Sequence, residues 1–287
     1  MNTKLLPLLA LPALLATACS IKDPRLDCLT PVTIRVSDFQ ISQEDLPGTK
    51  TAIGSYNGVK AITLALYDTE NEEVYQATQR KGATGYGDFS LNLPAGEYTL
   101  VVLGYGFFDG DEFSLTSPSL ASFTTDCRET FAAVQPLEVT GPDAMEVSAT
   151  LSRIVSKLIV ASTDGRPEGV ARIRMGFSAG SKSFNPTTGL ATSNTAFSNS
   201  VGVSTAVGTT TSSVCYLFLT SDEQSVNVSI DALDAEGATL YHKEVRNVPF
   251  QRNRCTRLTG SIYSATTPAS TSFQLSEGWV DEAALTF

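Results

Sequence analysis

Few residues in this chain could do covalent chemistry. Gly176-Phe177-Ser178-Ala179-Gly180 has the G-x-S-x-G form of a nucleophile elbow, and Asp222, Asp231 or Asp234 followed by His242 supplies an acid and a base in a known triad order. An elbow needs a strand turning sharply into a helix, but Asn185-Pro186 and Gly189 follow Gly180, so the match is read as chance. His242 is the single histidine, which leaves one imidazole for proton transfer and removes His-rich metal sites. Gly82, Gly85 and Gly87, and Gly104, Gly106 and Gly110, lack the G-x-G-x-x-G spacing of a phosphate loop and are read as turn glycines. Asp109, Asp111 and Glu112 form an acidic loop without the ligand spacing of an EF-hand, and Phe107 and Phe108 beside them are either a contact patch or core cover. No enzyme, cofactor or metal is expected.

The elements around these residues must come from a chain of 287 residues, enough for about two domains. Hydrophobic residues make up 42% and charged residues only 17%, so uncharged Ser, Thr, Gly and Asn fill the polar faces, which favours strands and turns over helices. The net charge is −10 without a basic cluster, so nucleic acid is a poor partner.

Lys4 precedes an apolar stretch from Leu5 to Ala18 that is too short to span a bilayer and is interrupted by Pro7 and Pro12; it reads as a signal peptide over residues 1–18. Leu15-Ala16-Thr17-Ala18-Cys19 resembles the lipobox of bacterial lipoproteins, with Ala16 where leucine is usual. That resemblance implies cleavage between Ala18 and Cys19 and fatty acylation of Cys19, with a tether over residues 19–27. One acyl chain holds a protein marginally; two or three, palmitate among them, would hold it firmly in the outer membrane. Export also permits disulfides. Cys28, Cys127, Cys215 and Cys255 remain, and four cysteines allow three pairings. Cys28 with Cys127 and Cys215 with Cys255 would keep each bridge inside one domain. No pair has the C-x-x-C spacing of structural zinc.

From Val32 the pattern has period two. Val32, Ile34 and Val36 share a face, Ile62, Leu64 and Leu66 share the next, and Glu73 to Gln79 returns as a hairpin. Phe89, Leu91 and Leu93 alternate before Pro94-Ala95-Gly96, and from Tyr98 to Leu103 both faces are apolar, as in a strand covered on two sides. A second pass begins near Leu151, with six further strands at Ile154 to Val160, Val170 to Phe177, Val214 to Thr220, Val226 to Ala232, Thr239 to Val245 and Arg254 to Tyr263. Ser178 to Thr211 is expected to be a long surface connection. The expected fold is all-β, two β-sandwiches in tandem over residues 28–150 and 151–267. A polar spacer precedes Ser272 to Phe287, a tail over residues 268–287 that carries the single tryptophan, Trp279.

The lipobox, Ile21-Lys22-Asp23, the Asp27-Cys28 pair running into an alternating strand, Leu93-Pro94-Ala95-Gly96-Glu97-Tyr98-Thr99-Leu100 and Leu151-Ser152-Arg153-Ile154-Val155-Ser156-Lys157 together resemble the FimB-like fimbrial anchor subunits of Bacteroidetes, in the fimbrillin superfamily. The resemblance implies two transthyretin-like sandwiches at the base of a pilus on the cell surface, with a fimbrial structural subunit as partner. In that superfamily a subunit that loses its N-terminal segment opens a groove, which a neighbour's C-terminal strand fills. An anchor is expected to keep its own strand, Val32 to Phe39, and to donate Ser272 to Val280, with Phe273, Leu275, Trp279 and Val280 as knobs, so that it tethers the pilus and terminates its growth. The same tail can equally be the last strand of the second domain. A stalk or tip subunit, trimmed after Arg25 or Arg35, is the nearest alternative, and a surface glycan-binding lipoprotein is the alternative of another class.

Overall fold

A computed structural model describes residues 29–40, 50–203, 205–264 and 272–276. The signal segment, Cys19, Cys28, Trp279 and Val280 lie outside them. The chain is all-β, with two β-sandwiches in tandem.

The first contains β1 (Thr30–Gln40), β2 (Lys50–Ala52), β3 (Ala61–Tyr67), β4 (Glu73–Arg80), β5 (Asp88–Leu93), β6 (Gly96–Tyr105), β7 (Phe113–Ser117), β8 (Leu120–Phe123), β9 (Thr130–Val139) and β10 (Met145–Arg153). One layer runs β5-β1-β10, with β2 also on β1; the other runs β9-β6-β3-β4. Among the described residues they join only where β10 meets β9, at Ser152 opposite Ala132 and Arg153 opposite Phe131. Alternation along β1 sends Val32, Ile34, Val36 and Phe39 into the space between the layers, against Ile62, Leu64, Leu66, Leu100 and Val102. Gly104 makes room for this: a Cβ there would lie 2.8 Å from the Phe39 ring.

The second contains β11 (Ser156–Ser162), β12 (Arg172–Phe177), β13 (Ser183–Asn185), β14 (Leu190–Ala191), β15 (Phe197–Gly202), β16 (Ser212–Leu217), β17 (Glu223–Leu233), β18 (Thr239–Gln251), β19 (Cys255–Gly260) and β20 (Ser272–Ser276). Its layers are β16-β11-β19-β20 and β15-β12-β17-β18, closed over Leu158, Ile173, Met175, Val228 and Phe250. The two sandwiches repeat one plan. Each first strand lies parallel to the last of its sandwich, β1 to β10 and β11 to β19, and each opposite layer takes the same path, β4-β3-β6-β9 and β15-β12-β17-β18. Outside this plan fall β2, the β7–β8 hairpin, β13–β14 and β20.

The insertions join the domains. β7 and β8 come from the first sandwich and β13 and β14 from the second, and they form one sheet, β14-β13-β8-β7, in which Ser122 pairs with Ser183 and Ala121 with Phe184. That sheet covers the outer face of β3 and β6, where Ala61, Ala65, Tyr67, Val101, Leu103 and Tyr105 meet Leu115, Phe123, Phe184 and Phe218. The double-sided apolar pattern of Tyr98 to Leu103 has its cause here. Ser178 to Thr211 is therefore not a surface connection. It contributes β13, β14 and β15, and Phe184 is fully buried with its ring 4.1 Å from that of Phe218. Strands of two or three residues offer too few alternations to be seen in sequence, and β13 takes its partner β8 from the other domain.

A buried polar cluster sits at the same junction. Arg153 donates from Nε to Glu129 Oε1 at 2.8 Å, from Nη2 to the Tyr56 hydroxyl at 2.9 Å and from Nη1 to Asn253 of the second domain at 3.0 Å. The Tyr56 hydroxyl donates to Glu129, and the Arg153 and Glu129 side chains are 1% and 5% exposed. Burial, then the Glu129 charge, holds the Tyr56 phenol well above its ordinary pKa, so it stays a donor. Losing one partner of such a pair strands a buried charge, which costs about 3–5 kcal/mol. Arg153→Met should lower unfolding stability by about that amount in urea titrations, and Arg153→Met with Glu129→Leu should recover most of it. Equal loss in both variants would contradict the assignment.

Candidate functional site

The two chain ends that sequence singles out lie in different environments. β1 is an interior strand: β10 pairs with it in parallel from Val32 to Gln40, and its other edge is taken by β5 from Thr30 to Arg35 and by β2 from Asp38 to Gln40. The Thr30 hydroxyl donates to the Gly141 carbonyl, fixing its start to the loop between β9 and β10. Burying Val32, Ile34, Val36 and Phe39 is worth about 6–12 kcal/mol. That is comparable with the whole stability of a typical domain, about 5–15 kcal/mol. β1 cannot leave its sandwich unless another strand replaces it.

At the other end, β20 pairs antiparallel with β19 over five positions, from Thr259 opposite Ser272 to Cys255 opposite Ser276. Among the described residues it is an edge strand with one neighbour. Phe273 stands opposite Leu258 and Leu275 opposite Thr256. Its counterpart edge in the first sandwich, β10 from Met145 to Ala149, has no ladder partner besides β1 among the described residues. The second sandwich is complete without β20, which is an addition to the repeated plan.

The other sequence motifs do not assemble into a reactive site. Ser178 follows the end of β12, no helix begins after it, and its hydroxyl accepts the Asn227 N–H. His242 lies beside Asp231, its Nδ1 2.5 Å from Oδ1, in the cross-strand row of Arg174. Ser178 lies four residues beyond Arg174, and His242 lies two strands across from Arg174, so serine and imidazole are about 16 Å apart. In the acidic loop, Arg128 grips Asp111 at 2.6 and 2.7 Å, and Phe108 N–H and the Thr125 hydroxyl also donate to it. These bonds hold the Asp111 carboxyl below its usual pKa against the opposing effect of burial. No cluster of metal-ligating side chains occurs among the described residues. Phe107 and Phe108 are each capped by an arginine, Arg80 and Arg128, and Phe108 is exposed.

The polar cluster of Tyr56, Glu129, Arg153 and Asn253 escaped sequence reading because its members lie 73, 24 and 100 residues apart along its bonds. Arg153 does fall within the Leu151 to Lys157 stretch.

A family model described as "Family of unknown function (DUF6562)" matches residues 50–285, the greater part of the chain. The chain belongs to this family. No curated protein matches it. Among solved structures, the fimbrial anchor protein Mfa2 of Porphyromonas gingivalis superposes with a TM-score of 0.51 at 14% identity, covering 88% of this chain and 98% of that one. A candidate adhesin of Bacteroides ovatus gives 0.51 at 12% identity, covering 85% and 96%. A protein of Bacteroides thetaiotaomicron described as a candidate polysaccharide-binding protein gives 0.50 at 9% identity, covering 88% and 99%. At these identities the likeness establishes a shared fold.

In this DUF6562 chain Cys127, Cys215 and Cys255 are buried and form no disulfide with one another. Pairing of Cys215 with Cys255 is corrected by the register. Cys215 lies opposite Leu158 on one side of β11 and Cys255 opposite Lys157 on the other, two strands and about 10 Å apart on opposite faces, beyond the 7 Å Cα limit of a disulfide. Cys215 packs in the core with Sγ 3.4 Å from Met175 Sδ. Cys28 and its proposed bridge to Cys127 lie outside the described residues. Burial pushes the Cys127 thiol up to about 12 and the Cys215 thiol well above its usual value. Neither supplies thiolate at neutral pH. Both should resist iodoacetamide in the folded protein at pH 8 and react fully in denaturant, as read by peptide mass spectrometry; rapid labelling of the native chain would contradict this burial.

Proposed function

We propose that this chain is a lipid-anchored fimbrial accessory protein that tethers a pilus to the outer membrane and ends its growth. The observation that carries the reading is the interior position of β1, paired on both edges with its side chains filling the first sandwich. A subunit whose groove is occupied by its own strand has no place for a neighbour's donor. The fold shared with a protein named as a fimbrial anchor supports the same class, and the lipobox-like Cys19 supplies the mooring.

The donor in this reading is the C-terminal tail. As an edge strand outside the repeated sandwich plan, β20 can leave β19 at the expense of one ladder, and the same main-chain groups would pair with a receiving subunit. Such a head-to-tail contact propagates until it meets a subunit that cannot accept, and the anchor is that subunit.

Two measurements test this. Deleting residues 272–287 should leave a folded, acylated protein that no longer retains fimbriae on the cell; retention at the native level would contradict donation. Mass spectrometry of the mature protein should find acylated Cys19 at its N-terminus, whereas a chain starting after Arg25 or Arg35 would assign it to the stalk or tip.

A further inference from the structure

The outer face of β15, β12, β17 and β18 carries a groove of about 720 Å³, lined by polar side chains and by Ala196 and Phe197. One cross-strand row reads Ser198, Gly176, Ser229, Glu244, and the next reads Ser200, Arg174, Asp231, His242. In the second row Arg174 donates twice to Asp231 Oδ2, at 3.0 and 2.8 Å, and His242 Nδ1 lies 2.5 Å from Oδ1, while its Nε2 faces Glu244 of the first row at 3.8 Å. Among the described residues the hydroxyls of Ser198 and Ser229 have no partner, Asn227 uses only its carbonyl oxygen, on Asn247 N–H, and Glu244 and Arg246 are 61% and 78% exposed, with Arg246 3.9 Å and His242 3.8 Å from the Glu244 carboxylate. Gly176 keeps the floor flat, since a Cβ there would lie 2.3 Å from Ser229 Oγ.

These groups define an occupant. The trough offers hydroxyls, amide donors, a carboxylate and a guanidinium at no net charge beside the apolar Ala196 and Phe197, which complements a molecule that carries both C–H faces and groups that donate and accept. An apolar ligand would strand the polar groups of the trough. A polyanion would meet Glu244 on a chain of net charge −10. An added peptide strand would find the main-chain groups of β12 and β17 already spent on their ladders. We propose that this face binds a neutral oligosaccharide, its hydroxyls bridging the Ser198 and Ser229 floor to Asn227, Glu244 and Arg246. A tether that also grips a sugar would have an activity independent of strand donation.

The test is an array of neutral and charged oligosaccharides probed with the acylation-free full chain, followed by titration calorimetry with the best neutral glycan. Ser229→Gln, which fills the floor, and Glu244→Ala, at an exposed position, should each weaken binding by at least about tenfold, with unchanged circular dichroism and an unaffected Glu138→Ala control. Absence of neutral glycan binding at millimolar concentration, capture of charged glycans alone, or affinity unchanged in Glu244→Ala would each overturn the assignment.

Discussion

The whole arrangement depends on how many edges of a strand are hydrogen-bonded. A strand paired on both edges, with its side chains between two layers, can leave only by exposing two ladders and a core face at once. A strand at the end of a sheet leaves by opening one. β1 is of the first kind and β20 of the second. Phe39 deepens the contrast, because its ring packs on Phe131 and Tyr56 at centroid distances of 4.8 and 5.8 Å, tying the end of β1 to the domain junction.

That junction joins the two domains by paired main chain and a shared apolar cluster. The insertions of each sandwich are too short to form sheets alone, yet together they build a four-stranded sheet whose aromatic face covers β3 and β6. Loop contacts add to it: Cys127 N–H donates to Asn199, and Ser200 N–H donates to Asp126. Beside them the Arg153 guanidinium reaches both domains while lying 4.7 Å from the Phe131 ring. A load applied at the second domain would therefore pass to the first through paired main chain and packed rings rather than through a hinge.

Much of this fold was legible in the sequence, and the parts that were not share a cause. Alternation at Val32 to Val36, Ile62 to Leu66 and Phe89 to Leu93 marks β1, β3 and β5, because those strands face one core and solvent or a second layer in a regular pattern. Residues Ser183 to Asn185 and Leu190 to Ala191 carry no such mark; they are strands only because Leu120 to Phe123 of the other domain pairs with one of them. The same non-local origin hides the polar cluster around Arg153. Cys215 and Cys255 do not pair for a geometric reason: even number and export say nothing of register, and register puts these two on opposite faces. His242 and Ser178, whose triad-like order in sequence is a chance match, lie in separate rows of the sheet.

The measurement that bears most directly on the unequal fates of the two strands is native-state hydrogen exchange of the full chain, followed peptide by peptide. Amides of Val32 to Phe39 should exchange only through global unfolding, with protection equal to the slowest core strands, whereas those of Ser272 to Ser276 should exchange through a local opening at least about a thousandfold faster. Equal protection of both segments, or rapid exchange along β1, would contradict the account.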